Sequence, residues 1–388
     1  MIIKNKKLLK SVVLYSLIVY FCCTFLNLSK LADLIINFEI IHDSLKYTAL
    51  ALIISCTLVR IISDGNRQLL AIYTVAGIIS LVSFHATGST IVGESSIILF
   101  SSMGIDIRQI GRKLFLTTVV LLSAMCFLVL LNIIPNNPIV GTSLLTGEQT
   151  IRRTLGFNHQ NSLGNLLFVL ILCTLLCERK KPSTLNYIGI VTVGLVLWVC
   201  GSRTSVILLS YIFILCILGA INGGVFKDRL FKMMIAVSAV SAILSVILPI
   251  IYSSDDAILV QINHALSDRL RMANVFFDDY GITLFGAQIT FLPTAVAEQL
   301  GRGAMVLDNG YMHALIHYGI IPGIALLLPY YYVLYLAVKR RRYTIAIAVS
   351  AVLLSGVAEN WLLTYGRALV PLCLLSMMTS RDEELSNE

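Results

Sequence analysis

Runs of about 20 mostly apolar residues recur from one end of this chain to the other, and a helix needs about that many to cross the ~30 Å hydrocarbon core of a bilayer. Read against the polar breaks, they predict spans at 8–28, 47–63, 69–86, 91–105, 114–134 and 162–177, then 185–200, 203–221, 233–252, 310–337, 344–361 and 366–378. The fourth and last are short enough to be re-entrant. Pro322 and Pro329 predict a kink in 310–337, where neighbouring helices would re-satisfy the freed carbonyls. Composition excludes a soluble globule: 57% of the residues are apolar and 13% charged, against roughly a quarter charged in soluble domains. The expectation is an all-α integral membrane protein of about twelve transmembrane helices with one large extracytoplasmic loop. About nine spans lie in 1–252, the loop occupies 253–309, and about three spans with a short cytoplasmic tail fill 310–388.

Lysine and arginine placement sets the orientation. With the N-terminus inside, every inner connection is basic: Lys4, Lys6, Lys7 and Lys10; Arg60 and Arg67; Arg108, Arg112 and Lys113; Arg179, Lys180 and Lys181; Lys227, Arg229 and Lys232; Lys339, Arg340, Arg341 and Arg342; Arg381. Both termini are then cytoplasmic, in a multi-pass protein of the cytoplasmic membrane. The first apolar run reads as a signal anchor, because it lacks a small-residue cleavage site and many spans follow it. The net charge of +8 is this topological bias and implies no nucleic-acid partner. All nine cysteines fall within apolar runs, where small packing residues are expected rather than a disulfide framework or zinc site.

Nine basic residues fall on the outer side. Lys30 and Lys46 flank the first outer loop as interfacial anchors. The other seven, Arg152, Arg153, Arg203, Arg269, Arg271, Arg302 and Arg367, are all arginine, whose planar fork suits bidentate phosphate recognition better than a lysine does. The six histidines share that face. In the long loop, Leu266, Leu270, Ala273 and Phe277 make one helical stripe from Ile262. At ~100° per residue, Arg269 borders the stripe and Arg271 falls opposite, so Arg269 is expected to face inward and Arg271 solvent. Glu94 and Glu359 sit near outer span ends, where a carboxylate is either functional or paired with a buried arginine.

Three outer segments stand out. The first runs Arg152-Arg153-Thr154-Leu155-Gly156-Phe157-Asn158-His159-Gln160-Asn161-Ser162-Leu163-Gly164 into the sixth span. The second is the turn Gly201-Ser202-Arg203-Thr204, and the third is Asp308-Asn309-Gly310-Tyr311 with His313, His317 and Gly319. With Asp268-Arg269-Leu270 and Leu284-Phe285-Gly286 in the loop between, their order and spacing resemble the O-antigen polymerase and ligase superfamily, in particular the Wzy-type polysaccharide polymerases, most clearly over 150–320. Two departures are visible: Gln160 stands where members often have proline, and Asp308 where ligase-branch members have histidine. The second favours the polymerase branch.

The resemblance implies glycosyl transfer outside the cytoplasmic membrane, moving a glycan from undecaprenyl pyrophosphate onto a hydroxyl of another lipid-linked repeat unit. Partners would be that lipid-linked oligosaccharide, membrane lipid, a chain-length regulator and a flippase; no cofactor is implied. The chemistry asks for cations where charge develops on the departing pyrophosphate. Arg203, at a helix N-terminus whose dipole adds to its charge, comes first, then Arg269, then Arg152 or Arg153. Asp308, His313 and His159 are the candidate bases for the acceptor hydroxyl. Against these stand plainer roles: headgroup anchoring or snorkelling for the arginines, loop hydrogen bonding for His159, and capping of the tenth span for Asp308. His313 and His317, at i and i+4, have no third ligand in sequence to complete a metal site. Two other classes remain open: a flippase of the same lipid-linked sugar, which usually shows related halves absent here, and a ligase-like transferase to another acceptor.

Overall fold

A computed structural model describes residues 2–136, 139–142, 149–178, 182–221, 224–292 and 305–379. Eight helices among them are long and apolar enough to cross a membrane. They lie within α1 (Ile2–Asn27), α2 (Phe38–Ser63), α3 (Arg67–Thr87), α5 (Ile107–Leu130), α6 (Gln160–Cys177), α8 (Arg203–Ile221), α9 (Gly224–Ile250) and, late in the chain, Ile320–Lys339. Three shorter apolar helices join them: α4 (Ile91–Ser101), α7 (Thr184–Cys200) and Tyr343–Ser355. Asn66 and Asp106 start α3 and α5 by accepting backbone N–H groups of Leu69 and Arg108, the usual side-chain solution for orphan donors.

The outward faces of this bundle carry large apolar side chains in the open. Leu130 is 78% exposed and Trp198 76% exposed, and α3 buries only Ser83 and Thr87. Such a surface is stable in hydrocarbon and not in water, consistent with a multi-pass α-helical membrane protein. The interior is organised round two helices. Every residue from Tyr343 to Leu353 is buried, and α6 buries most of its length. Functional side chains at the ends of these two helices are therefore held by the most tightly packed part of the fold.

Several expectations change in detail. The 310–337 segment is not one helix kinked at proline. It comprises α12 (Gly310–His313), a π-helical turn Ala314–Tyr318, and α13 (Ile320–Lys339), broken at Gly319 with φ +87°. Pro322 sits in the first turn of α13, where a missing N–H costs nothing. The break is filled by the loop motif: Ile320 and Ile321 donate to the carbonyls of Thr283 and Leu284, and Ala287 donates to that of His317. A Cβ on Gly286 would lie 2.0 Å from the His317 carbonyl oxygen, and one on Gly319 would lie 2.2 Å from the Gly286 nitrogen. Backbone passes against backbone there, and only glycine fits on either side.

The stripe expected as one helix from Ile262 is divided into α10 (Ala257–Ala265) and α11 (Arg269–Tyr280). Ser267 and Asp268 adopt left-handed backbone, with φ +57° and +68°. The Asn263 side chain explains the break, because it bonds both the Asp268 carboxylate and the Arg271 N–H across the turn. The last apolar run, 366–378, is likewise interrupted. It forms α15 (Tyr365–Ala368), a 3-10 turn Val370–Leu372 and α16 (Cys373–Thr379), with α14 being Tyr343–Ser355 before it. Two four-residue strands, β1 (Ile139–Thr142) and β2 (Gln149–Arg152), add a small antiparallel hairpin ahead of α6.

Candidate functional site

The first motif is fixed to the end of α1. Lys30 donates to the Gly156 carbonyl and Asn158 to that of Leu28, while Phe157 is buried edge-on against Phe25 with ring centres 5.5 Å apart. His159 then caps α6, its Nδ1 accepting the Asn161 N–H at 3.1 Å. These contacts give Phe157, Asn158 and His159 structural work. One turn on, a Cβ at Gly164 would meet Ser202 Oγ at 2.3 Å and Ser205 Oγ at 2.6 Å. The Gly201–Thr204 turn therefore rests directly on α6, on the side that also carries Asn161 three residues earlier. Arg203 opens α8 and is exposed; its N–H donates to the Gly201 carbonyl, and its guanidinium makes no hydrogen bond or ion pair among the described residues. Arg153 is exposed, close enough to Cys200 at the end of α7 for its charge to be felt there. Arg152 ends β2 opposite Ile139; its side chain, and all of Arg302, lie outside the described residues.

Arg269 and Arg271 leave the same helix but have different surroundings. Arg271 is closely paired: its Nε and Nη2 both reach Asp268, at 3.0 and 2.5 Å, and its side chain is half exposed. Burial raises the Asp268 carboxyl, but hydrogen bonds from Arg271 and Asn263 overcome this and hold it below its ordinary value. Arg269 is mostly buried and only loosely held. Its Nη2 stands 3.3 Å from Glu359 Oε1, its Nη1 3.5 Å from the Leu266 carbonyl, and its Nε 3.6 Å from Asp308 Oδ2. The Nε has no hydrogen-bond partner. Strong charge-assisted N–H···O bonds run about 2.7–2.9 Å, so this guanidinium retains capacity for a closer anion.

Asp308 is free to face Arg269 because it is not the cap of the following helix. Asn309 caps α12, accepting the N–H groups of Tyr311 and Met312 and donating to the Ser245 carbonyl. The Asp308 side chain keeps 37% of its surface open, against 15% for Arg269 and 10% for Glu359. The three charges are thus graded from an open mouth to a closed floor. At the floor, Asn161 donates to Glu359 Oε1 at 3.1 Å. Glu359 lies beyond the end of α14, and burial pushes its carboxyl up to about 7, with Arg269 opposing and Asp308 adding to the rise.

Two histidines pack together beside Phe291. His313 is buried with its Nδ1 3.0 Å from the Leu307 carbonyl, and it stacks on Phe291 at 5.2 Å. Burial lowers its pKa to about 4, so it is a neutral and weak base. His317 lies against it, with Nδ1 3.1 Å from the Ala287 carbonyl. No group of three or more His, Cys, Asp or Glu among the described residues is placed to hold a metal ion.

The expected site residues therefore separate. Arg269 and Asp308 come together, Arg203 lies in the turn packed against α6, His159 caps α6, and His313 bonds the Leu307 carbonyl. Asn161 and Glu359 complete the cluster. The isolated acid in an apolar run was the only sequence signal for Glu359. A second acid, Glu94, is enclosed by Tyr20, Thr90 and Lys46. Lys46 is thus an ion-pair partner at 3.1 Å rather than a headgroup anchor. No family model matches the chain, and no curated protein or solved structure matches it either.

Proposed function

We propose that this chain is a polymerase that joins undecaprenyl-pyrophosphate-linked oligosaccharide repeat units into a surface polysaccharide. The reading includes about twelve passes, both termini in the cytoplasm, and the 253–309 loop and Arg269 cluster outside. In the reaction, an acceptor hydroxyl oxygen bonds to the anomeric carbon of the donor glycan. The bond from that carbon to the pyrophosphate oxygen breaks, and the pyrophosphate leaves with the electron pair. Arg269 and Arg203 bind the leaving anion, and Asp308, open to the aqueous side, accepts the hydroxyl proton.

The observation that supports this reading is the under-coordinated Arg269 guanidinium beside the open Asp308 carboxylate, with Asn161 of the first motif joined to the same cluster through Glu359. It is tested in a deletion strain by profiling lipid-linked glycans. Single repeat units on the lipid are expected to accumulate and to be extended again by the intact gene. Accumulation of undelivered long chains would instead indicate a ligase, and normal chain length in R203A and R269A strains would defeat the assignment.

A further inference from the structure

Glu359 stands at the floor of the cluster, outside every motif that carries the family resemblance, and is 7% exposed. The groups that face it come from three elements. Arg269 reaches it from α11 at 3.3 Å, and Asn161 from α6 at 3.1 Å, with Asn165 one turn deeper also hydrogen-bonded to it. Asp308, ahead of α12, adds its charge from the far side of Arg269. His313 on α12 approaches only the next residue, its Nδ1 being 3.3 Å from Asn360 Nδ2. One carboxylate thus joins the outer-loop helix to the two central helices of the bundle.

We propose that Glu359 is a positioning residue that fixes the Arg269 guanidinium for the donor pyrophosphate and carries a proton while that donor is bound. The inference rests on the polymerase reading above. Glu359 touches Arg269 and not the reacting atoms. With both carboxylates ionised, the trio Arg269, Asp308 and Glu359 sums to one negative charge, which opposes an incoming pyrophosphate. A proton on Glu359 brings the trio to neutrality and weakens its hold on the guanidinium's charge, while the carbonyl oxygen of the neutral carboxyl still accepts from Nη2 and Asn161 and keeps Arg269 in place. The proton comes from water, and no covalent bond changes. Burial already holds this carboxyl near neutrality, and a nearby anion raises it further, so uptake on binding needs no acid medium.

The test uses the full chain in lipid nanodiscs with undecaprenyl pyrophosphate as probe, and compares affinity at pH 6 and pH 8 for wild type, E359Q and E359D. Measuring every variant at both pH values cancels the ligand's own ionisation in the ratio to wild type. Between pH 6 and pH 8 the wild-type affinity is expected to weaken about tenfold relative to E359Q, one proton being linked to binding. E359D should keep the pH dependence but bind more weakly, because its shorter side chain cannot hold Arg269 in place. Folded E359Q following the wild-type pH profile would overturn the inference and leave the polymerase reading standing. Should E359Q fail to fold, E359D decides alone, and wild-type affinity in that variant overturns the inference. Wild type that binds no probe at either pH overturns both.

Discussion

Asp308 Oδ2 stands 3.6 Å from Arg269 Nε, just beyond hydrogen-bonding range, while Arg271 two residues away closes on Asp268 at 2.5 Å. The first pair leaves a guanidinium able to accept a stronger ligand. The second is already closely paired.

Alanine at the two positions should therefore have opposite consequences. R269A is expected to lower polymerisation at least ~100-fold, the scale for removing one preorganised donor to developing charge. R271A removes an exposed ion pair worth about 1 kcal/mol or less and should leave chain length unchanged. Gel profiling of glycan from complemented strains reads both, with membrane levels of each protein as the control.

Asn309 and Asp308 should separate in the same way, between stability and activity. N309A loses a helix cap worth about 1 kcal/mol and the donor to the Ser245 carbonyl, so thermal unfolding in detergent should shift downward. D308N should unfold where wild type does and be slow in polymerisation. An N309A protein as stable as wild type would show that the α12 cap is dispensable.

His313 gives stability a pH dependence on the acid side. Its pKa is depressed from 6.5 to about 4 in the folded protein. Its contribution is full above the unfolded value and is lost as pH falls from about 6.5 towards 4. The loss is on the order of 3 kcal/mol, because the buried imidazole must be charged. H313Q, which can still donate to the Leu307 carbonyl, should flatten that part of the profile. Unfolding temperatures measured across this range provide the check.

The glycine pair Gly286 and Gly319 should not tolerate a methyl group. G286A or G319A forces a Cβ into backbone from a left-handed position, at about 1–3 kcal/mol for overpacking with conformational strain in addition. Reduced yield of folded protein and faster proteolysis between 253 and 309 are the expected readouts. G65A is the control, because the space round Gly65 is open although its φ is also positive.

The orientation can be tested directly. Single cysteines at 203 and 269, in a background where the native cysteines are replaced, should react with a membrane-impermeant maleimide in intact cells once the cell wall is permeabilised. Labelling only after the cytosol is opened would place the cluster on the wrong side for the proposed reaction.

The apolar runs made most helices legible, because hydrocarbon length and apolar content are properties of sequence alone. Local competition was harder to read. The pattern from Ile262 has helical period, yet Asn263 turns its amide back onto Asp268 and Arg271 and divides the helix. Likewise, Asp308 and Asn309 are both good caps by type, and only the packing against Ser245 selects Asn309. Arg269 was legible as the inward arginine, since periodicity alone turns it away from Arg271. Its link to Glu359 was not, because no spacing rule connects residues 90 positions apart in sequence. Asn161 lay within a motif, but its target did not.

The crossing of Gly286 over Gly319 closes the chain between them into a ring whose two ends are backbone-locked. Changes of chain length between the two glycines leave that crossing in place. A residue gained or lost at the crossing itself would put α13 out of register with the loop and carry the disturbance into the bundle.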